Sequence, residues 1–67
     1  MLFMKTIALV DAPIGTWGRT SAGLTIRVDR KYIHRAGSAV SVDLYVQEFG
    51  RKVRMDLLRS FPLEVEE

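Results

Sequence analysis

Alternation constrains this chain more than any other feature. Val40, Val42, Leu44 and Val46 are apolar, with Ser41, Asp43, Tyr45 and Gln47 between them. An apolar residue at every second position gives an extended strand one core face and one solvent face. On a helix the same spacing would wrap round the whole circumference. That argues against the rival architecture, an open α+β domain with a helix over 40–61. The period returns at once, with Val53, Met55 and Leu57 alternating with Arg54 and Asp56. Glu48-Phe49-Gly50-Arg51 separates the two runs. A two-residue turn at Phe49-Gly50 pairs Val46 with Val53 and keeps both apolar sets on one face. It also sets Tyr45 opposite Arg54, which is favourable, and Asp43 opposite Asp56, which is not. The pairing is therefore expected to bend or end before that point.

Leu24, Ile26 and Val28 alternate with Thr25, Arg27 and Asp29, giving an earlier strand. Arg30 then falls on the apolar side. A bulge near Asp29 to Lys31 would correct the phase and return Tyr32 or Ile33 to the core. Arg35-Ala36-Gly37-Ser38 reads as a turn.

Residues 2 to 10 have apolar residues on both faces: Phe3, Ile7 and Leu9 on one, Leu2, Met4, Ala8 and Val10 on the other. Such a strand is expected to be buried on both sides. In a small domain one side then needs cover from a loop, a second copy or a partner. Asp11 to Gly23 has no periodicity and holds Pro13, Gly15, Gly18 and Gly23, so it reads as a long loop of the kind that often carries function. After Met55 the phase shifts, and Phe61 to Glu66 resumes alternation. A single 3₁₀ turn near Asp56 to Ser60 and a short edge strand containing Pro62 fit this pattern.

The resulting order is strand, long loop, strand, strand, tight hairpin, strand, 3₁₀ turn, strand. Val53-Arg54-Met55-Asp56-Leu57-Leu58-Arg59-Ser60-Phe61 resembles the closing strand-turn-strand of SH3-like and Sm-like small barrels. The likeness implies a mainly β fold, a single five-stranded SH3-like barrel with a long first loop and a 3₁₀ turn before the last strand. It identifies no specific family and transfers no activity.

Composition narrows the function. Sixty-seven residues allow one domain, 1–67, and leave little apolar surface to spare. Cysteine is absent and His34 is the only histidine, which removes disulfides and the usual zinc ligand sets. The start, MLFMKTIALV, lacks the basic region and clean cleavage site of a signal peptide and is too short to span a bilayer. Met4 is an alternative start. A cytoplasmic protein is expected, of a size that suits a bacterial or phage accessory protein. No nucleophile elbow, P-loop or dinucleotide fingerprint occurs, and one histidine among scattered serines makes no triad. His34 reads as a turn residue, and Asp29, Asp43 and Asp56 as outward solubilising charges. Neither an enzyme nor a cofactor is expected.

Two surfaces remain as candidates. The loop Thr16-Trp17-Gly18-Arg19-Thr20 joins the only tryptophan to an arginine, a pairing frequent in interface hot spots. Trp17, Arg19 and Ile14, with Leu2 and Met4 of the first strand, are the candidates for contact with a protein partner or a second copy. The alternative for Trp17 is to fold back and cap the core. The chain's excess charge of +2 hides an asymmetry, because all ten Lys and Arg precede the acidic Glu64, Glu66 and Glu67. Arg27, Arg30, Lys31 and Arg35 form one basic cluster, and Arg51, Lys52, Arg54 and Arg59 another. On adjacent strands these would make a positive groove with Tyr45 as a stacking platform for nucleic acid. The acids on the same face weaken that reading, and the expected function is protein–protein binding by a regulator, inhibitor or assembly subunit.

Overall fold

The computed structural model describes residues 4–33 and 37–66. The described residues form one antiparallel sheet of six strands and contain no α-helix. The strands are β1 (Met4–Ala8), β2 (Trp17–Arg19), β3 (Thr25–Ile33), β4 (Ala39–Val46), β5 (Arg51–Leu58) and β6 (Pro62–Glu66). Their order across the sheet is β1-β6-β2-β3-β4-β5. The sheet therefore has six strands where five were expected, and it ends at two edges, β1 and β5, instead of closing on itself.

β4 fulfils its pattern strictly. Val40, Val42, Leu44 and Val46 are buried, and the residues between them are half-buried. Ile26 and Val28 from β3, Leu63 and Val65 from β6, and Leu9 and Ala12 complete the core. The β4–β5 hairpin differs from expectation by two residues. Val46 pairs with Arg51 and Leu44 with Val53, so Gln47 to Gly50 form a four-residue turn, with Gly50 at φ +66°. A shift of two keeps each side chain on its expected face. It also replaces the Asp43–Asp56 clash with Asp43 opposite Arg54, a charge pairing that favours the longer turn.

The bulge falls as expected, between Val28 and Arg30, and moves Arg30 to the outer face opposite Asp43. It does not return Tyr32 or Ile33 to the core, since both are exposed. Lys31 turns inward opposite Val42 instead, and its Nζ donates to the carbonyls of Val10 (2.9 Å) and Ala12 (2.5 Å). An ammonium group thus closes this end of the core, its charge met by two backbone oxygens.

Four further expectations are corrected. The N-terminal run is not one doubly buried strand. β1 stops at Ala8, and a 3₁₀ turn over Leu9–Asp11 swings Leu9 into the core, while Met4, Lys5 and Thr6 stay exposed. The long loop contains β2, whose few residues carry no readable period. And β6 is not an edge: it pairs with β1 along its length and with β2 at Arg19–Glu64. Pro62 is tolerated because it is the first residue of β6. The 3₁₀ turn expected near 56–60 is absent, because β5 continues to Leu58 and a tight turn follows, in which Phe61 N–H donates to Leu58 (2.9 Å).

Gly18 explains how β2 fits. A Cβ there would lie 2.5 Å from Leu63 Cγ and 2.9 Å from the Glu64 carbonyl oxygen. Only glycine lets β2 approach β6 this closely, and the sheet is continuous through that contact.

Candidate functional site

Register places a row of outward side chains straight across the sheet. Trp17 pairs with Arg27, Arg27 with Tyr45, and Tyr45 with Lys52. The Arg27 guanidinium carbon lies 5.5 Å from the Trp17 ring centre and 5.0 Å from that of Tyr45, and the two rings meet edge to face at 6.1 Å. Trp17 therefore does not cap the core. It stands 45% exposed on the outer face, with its cation–π partner beside it. Tyr45 takes Arg27 as its partner, not Arg54.

The cations of this face are largely answered by carboxylates. Asp29, carried outward at the bulge, accepts from Arg27 Nε at 2.6 Å and lies 3.3 Å from Lys52 Nζ. Its pKa is held below the ordinary value, first by the bond from Arg27. One strand further, Arg54 donates through Nε and Nη2 to both oxygens of Asp43 (2.7 and 3.2 Å) and stacks over Tyr32 at 5.0 Å. The Asp43 pKa is lowered chiefly by that bond. Arg30 is drawn to the same cluster through Tyr32. Ser41 donates to Asp56 at 2.5 Å. On the outer face of β3–β5, Arg27 and Lys52 thus meet Asp29, Arg54 meets Asp43 with Arg30 opposite it in register, and Asp56 is held by Ser41, so four cations face three carboxylates. The two basic clusters do not lie on adjacent strands, because β4 separates them, and Asp29 links Arg27 to Lys52 across it. Lys31 leaves the basic face altogether. Arg51 is exposed at the start of β5. Arg35 and His34 lie outside the described residues.

On the β1 side the structure brings together three of the residues singled out for protein contact. Met4, Trp17 and Arg19 line an open groove of about 600 Å³, with Glu64 and Glu66 on its floor. Ile14 is exposed in the turn before β2, outside that lining. Leu2 lies outside the described residues.

Sequence reasoning missed that the inner face of β5 stays uncovered. Val53, Met55 and Leu57 point to the core side, opposite Leu44, Val42 and Val40. Nevertheless Met55 is 45% exposed, and Val53 and Leu57 are only half-buried. They line an apolar cleft of about 320 Å³ with Leu24, Phe49 and Phe61, and Phe49 is 57% exposed at its rim. The alternation located these side chains on the inner face. That the face stays uncovered follows from the sheet ending at β5, which no local pattern reports. Beside the cleft, β5 has a strand neighbour on one side only among the described residues. No group of His, Asp or Glu that could hold a metal ion occurs among the described residues.

The fold and these surfaces define a small mainly β protein with an open antiparallel sheet. No protein-family model matches the chain, and no curated protein and no solved structure matches it.

Proposed function

We propose that the chain is a non-enzymatic binding module that acts through protein–protein contact, as a regulator, inhibitor or assembly subunit. The observation that carries this reading is the apolar cleft beside the free edge of β5. Uncovered Met55 and Phe49 next to unpaired backbone donors and acceptors offer both halves of strand-addition recognition: main-chain bonds for affinity and an apolar slot for side chains. The SH3-like and Sm-like likeness belongs to this proposal, supported by the β3-β4-β5 meander and the long first connection, with β2 as an added strand. So does a cytoplasmic location. No helix among the described residues is long and apolar enough to cross a membrane.

The test is affinity capture with the intact chain beside its Met55→Glu and Phe49→Ser variants. A protein held by the parent chain and lost by both variants supports the reading. A protein held equally by all three places its contact elsewhere.

One observation favours nucleic acid as a second reading: the exposed Trp17–Arg27–Tyr45 stack, flanked by Lys52 and Arg54. Aromatic and guanidinium planes bind unstacked bases. A gel shift at two salt concentrations tests it. Binding that weakens steeply with salt supports the stack as a platform, and no binding at low salt removes it.

A further inference from the structure

The two open edges of the sheet are unlike. β1 is five residues long, and Lys5, opposite the buried Val65, carries a charge on the inward face. Short length and an inward charge are the ordinary devices that stop an edge from pairing. β5 has neither device along its middle. It runs eight residues without a bulge or proline, and its inward side chains from 53 to 57 are all apolar.

The sequence of β5 is also complementary to itself. Consider two copies pairing antiparallel about a two-fold axis through residue 55. Met55 then faces Met55 of the partner copy, and Val53 faces the partner's Leu57, all on the inner side. On the outer side Arg54 faces the partner's Asp56, and Asp56 the partner's Arg54. Lys52 can lay its stem against the partner's exposed Leu58. Registers that keep inner face with inner face move in steps of one residue of the axis. An axis at 54 opposes Arg54 to Arg54, and an axis at 56 opposes Asp56 to Asp56. The axis at 54 does set Lys52 against Asp56, but only the axis at 55 pairs opposite charges with no like-charge contact within β5. Asp56 is exposed and accepts Ser41 through Oδ1, so the partner's Arg54 would extend an existing network of Asp43, Arg54 and Asp56.

We propose that β5 pairs with β5 of a second copy in this register, giving a two-fold dimer with a sheet continuous across both chains. Such an isologous contact covers the exposed Met55 and pairs the β5 edge of each copy at once. This inference rests on the reading of β5 as an open binding edge, and it names the occupant of that edge as a second copy.

Charge exchange tests it with the full chain. Light scattering at high concentration is expected to give twice the 7.6 kDa of one chain. Arg54→Asp alone and Asp56→Arg alone should each return the mass to that of a monomer. An equimolar mixture of the two variants should restore the doubled mass, because each unlike pair is then attractive. Arg54→Asp also sets a carboxylate beside Asp43, so a second measurement is independent of it. The chain has no cysteine. Met55→Cys places two thiols opposite each other at a separation that a disulfide spans, and mild oxidation should yield cross-linked dimer, whereas Val53→Cys, facing Leu57, should not. A parent chain that stays monomeric, a mixture that fails to re-associate, or cross-linking equal at 53 and 55 would overturn the inference. In that event, capture lost by Met55→Glu would still uphold a foreign partner at the cleft. A dimer with the expected cross-link but no captured protein would leave the second copy as the occupant.

Discussion

Gly18 carries no side chain, and its place in the sheet depends on that. Gly18→Ala must push Leu63 or β2 aside, since the new methyl would meet Leu63 Cγ and Cδ1 and the Glu64 carbonyl within 3 Å. The expected loss is about 1–3 kcal/mol, read by urea unfolding. Gly15→Ala serves as the contrast: no atom lies within 4 Å of its Cβ position, and strain comes from φ +91° alone. Charged residues make a separate prediction. Asp29, Asp43 and Glu48 all have folded pKa values below their ordinary ones, set first by bonds from Arg27, from Arg54 and from the backbone N–H of Thr25 respectively. A carboxylate with a depressed folded pKa gives stability that is present above its unfolded pKa and lost as pH falls through the folded one. Stability should therefore be level near neutrality and decline from about pH 4 downward. In Asp29→Asn the acid-side decline should be shallower, as measured by thermal unfolding across pH.

At the scale of the element, the β4–β5 hairpin shows what a sequence does and does not reveal. Period two assigns each face, and Leu44 lies buried while Tyr45 looks outward, as the pattern requires. Leu44→Ala should cost about 2–4 kcal/mol, and Tyr45→Ala less. The register, by contrast, is invisible to period two, because a slip of two residues keeps both faces. Cross-strand charge decides it, and only the observed pairing sets Arg54 against Asp43. A double-mutant cycle should find Arg54 coupled to Asp43 and uncoupled from Tyr45. The bulge at Asp29 was legible because Arg30 broke the phase. β2 was not, because three residues cannot display a period, and Gly18 is selected by the closeness of β6, which is distant in sequence. The end of β1 was hidden for a related reason. Apolar residues on both faces fit a buried strand, and equally a short strand followed by a 3₁₀ turn that redirects Leu9.

For the whole molecule, the sequence gives a mainly β chain but leaves closure undecided. Strand count and edges depend on which distant segments meet, and here β2 enters between β6 and β3 and the sheet ends at β5. Three of the predicted contact residues, Met4, Trp17 and Arg19, do share one groove, but the least covered apolar surface lies at the other edge. β5 is thus an open edge beside an uncovered apolar cleft. Hydrogen exchange of the β5 amides, followed residue by residue by NMR, tests this most directly. Along an antiparallel edge strand, N–H groups alternate between the neighbour and solvent. In dilute solution, slow exchange should alternate with fast exchange from Arg51 to Leu58, and the fast amides should become protected as concentration rises or a partner binds. Uniform protection of β5 in a dilute monomer would mean that the sheet closes on this edge and that β5 is not open.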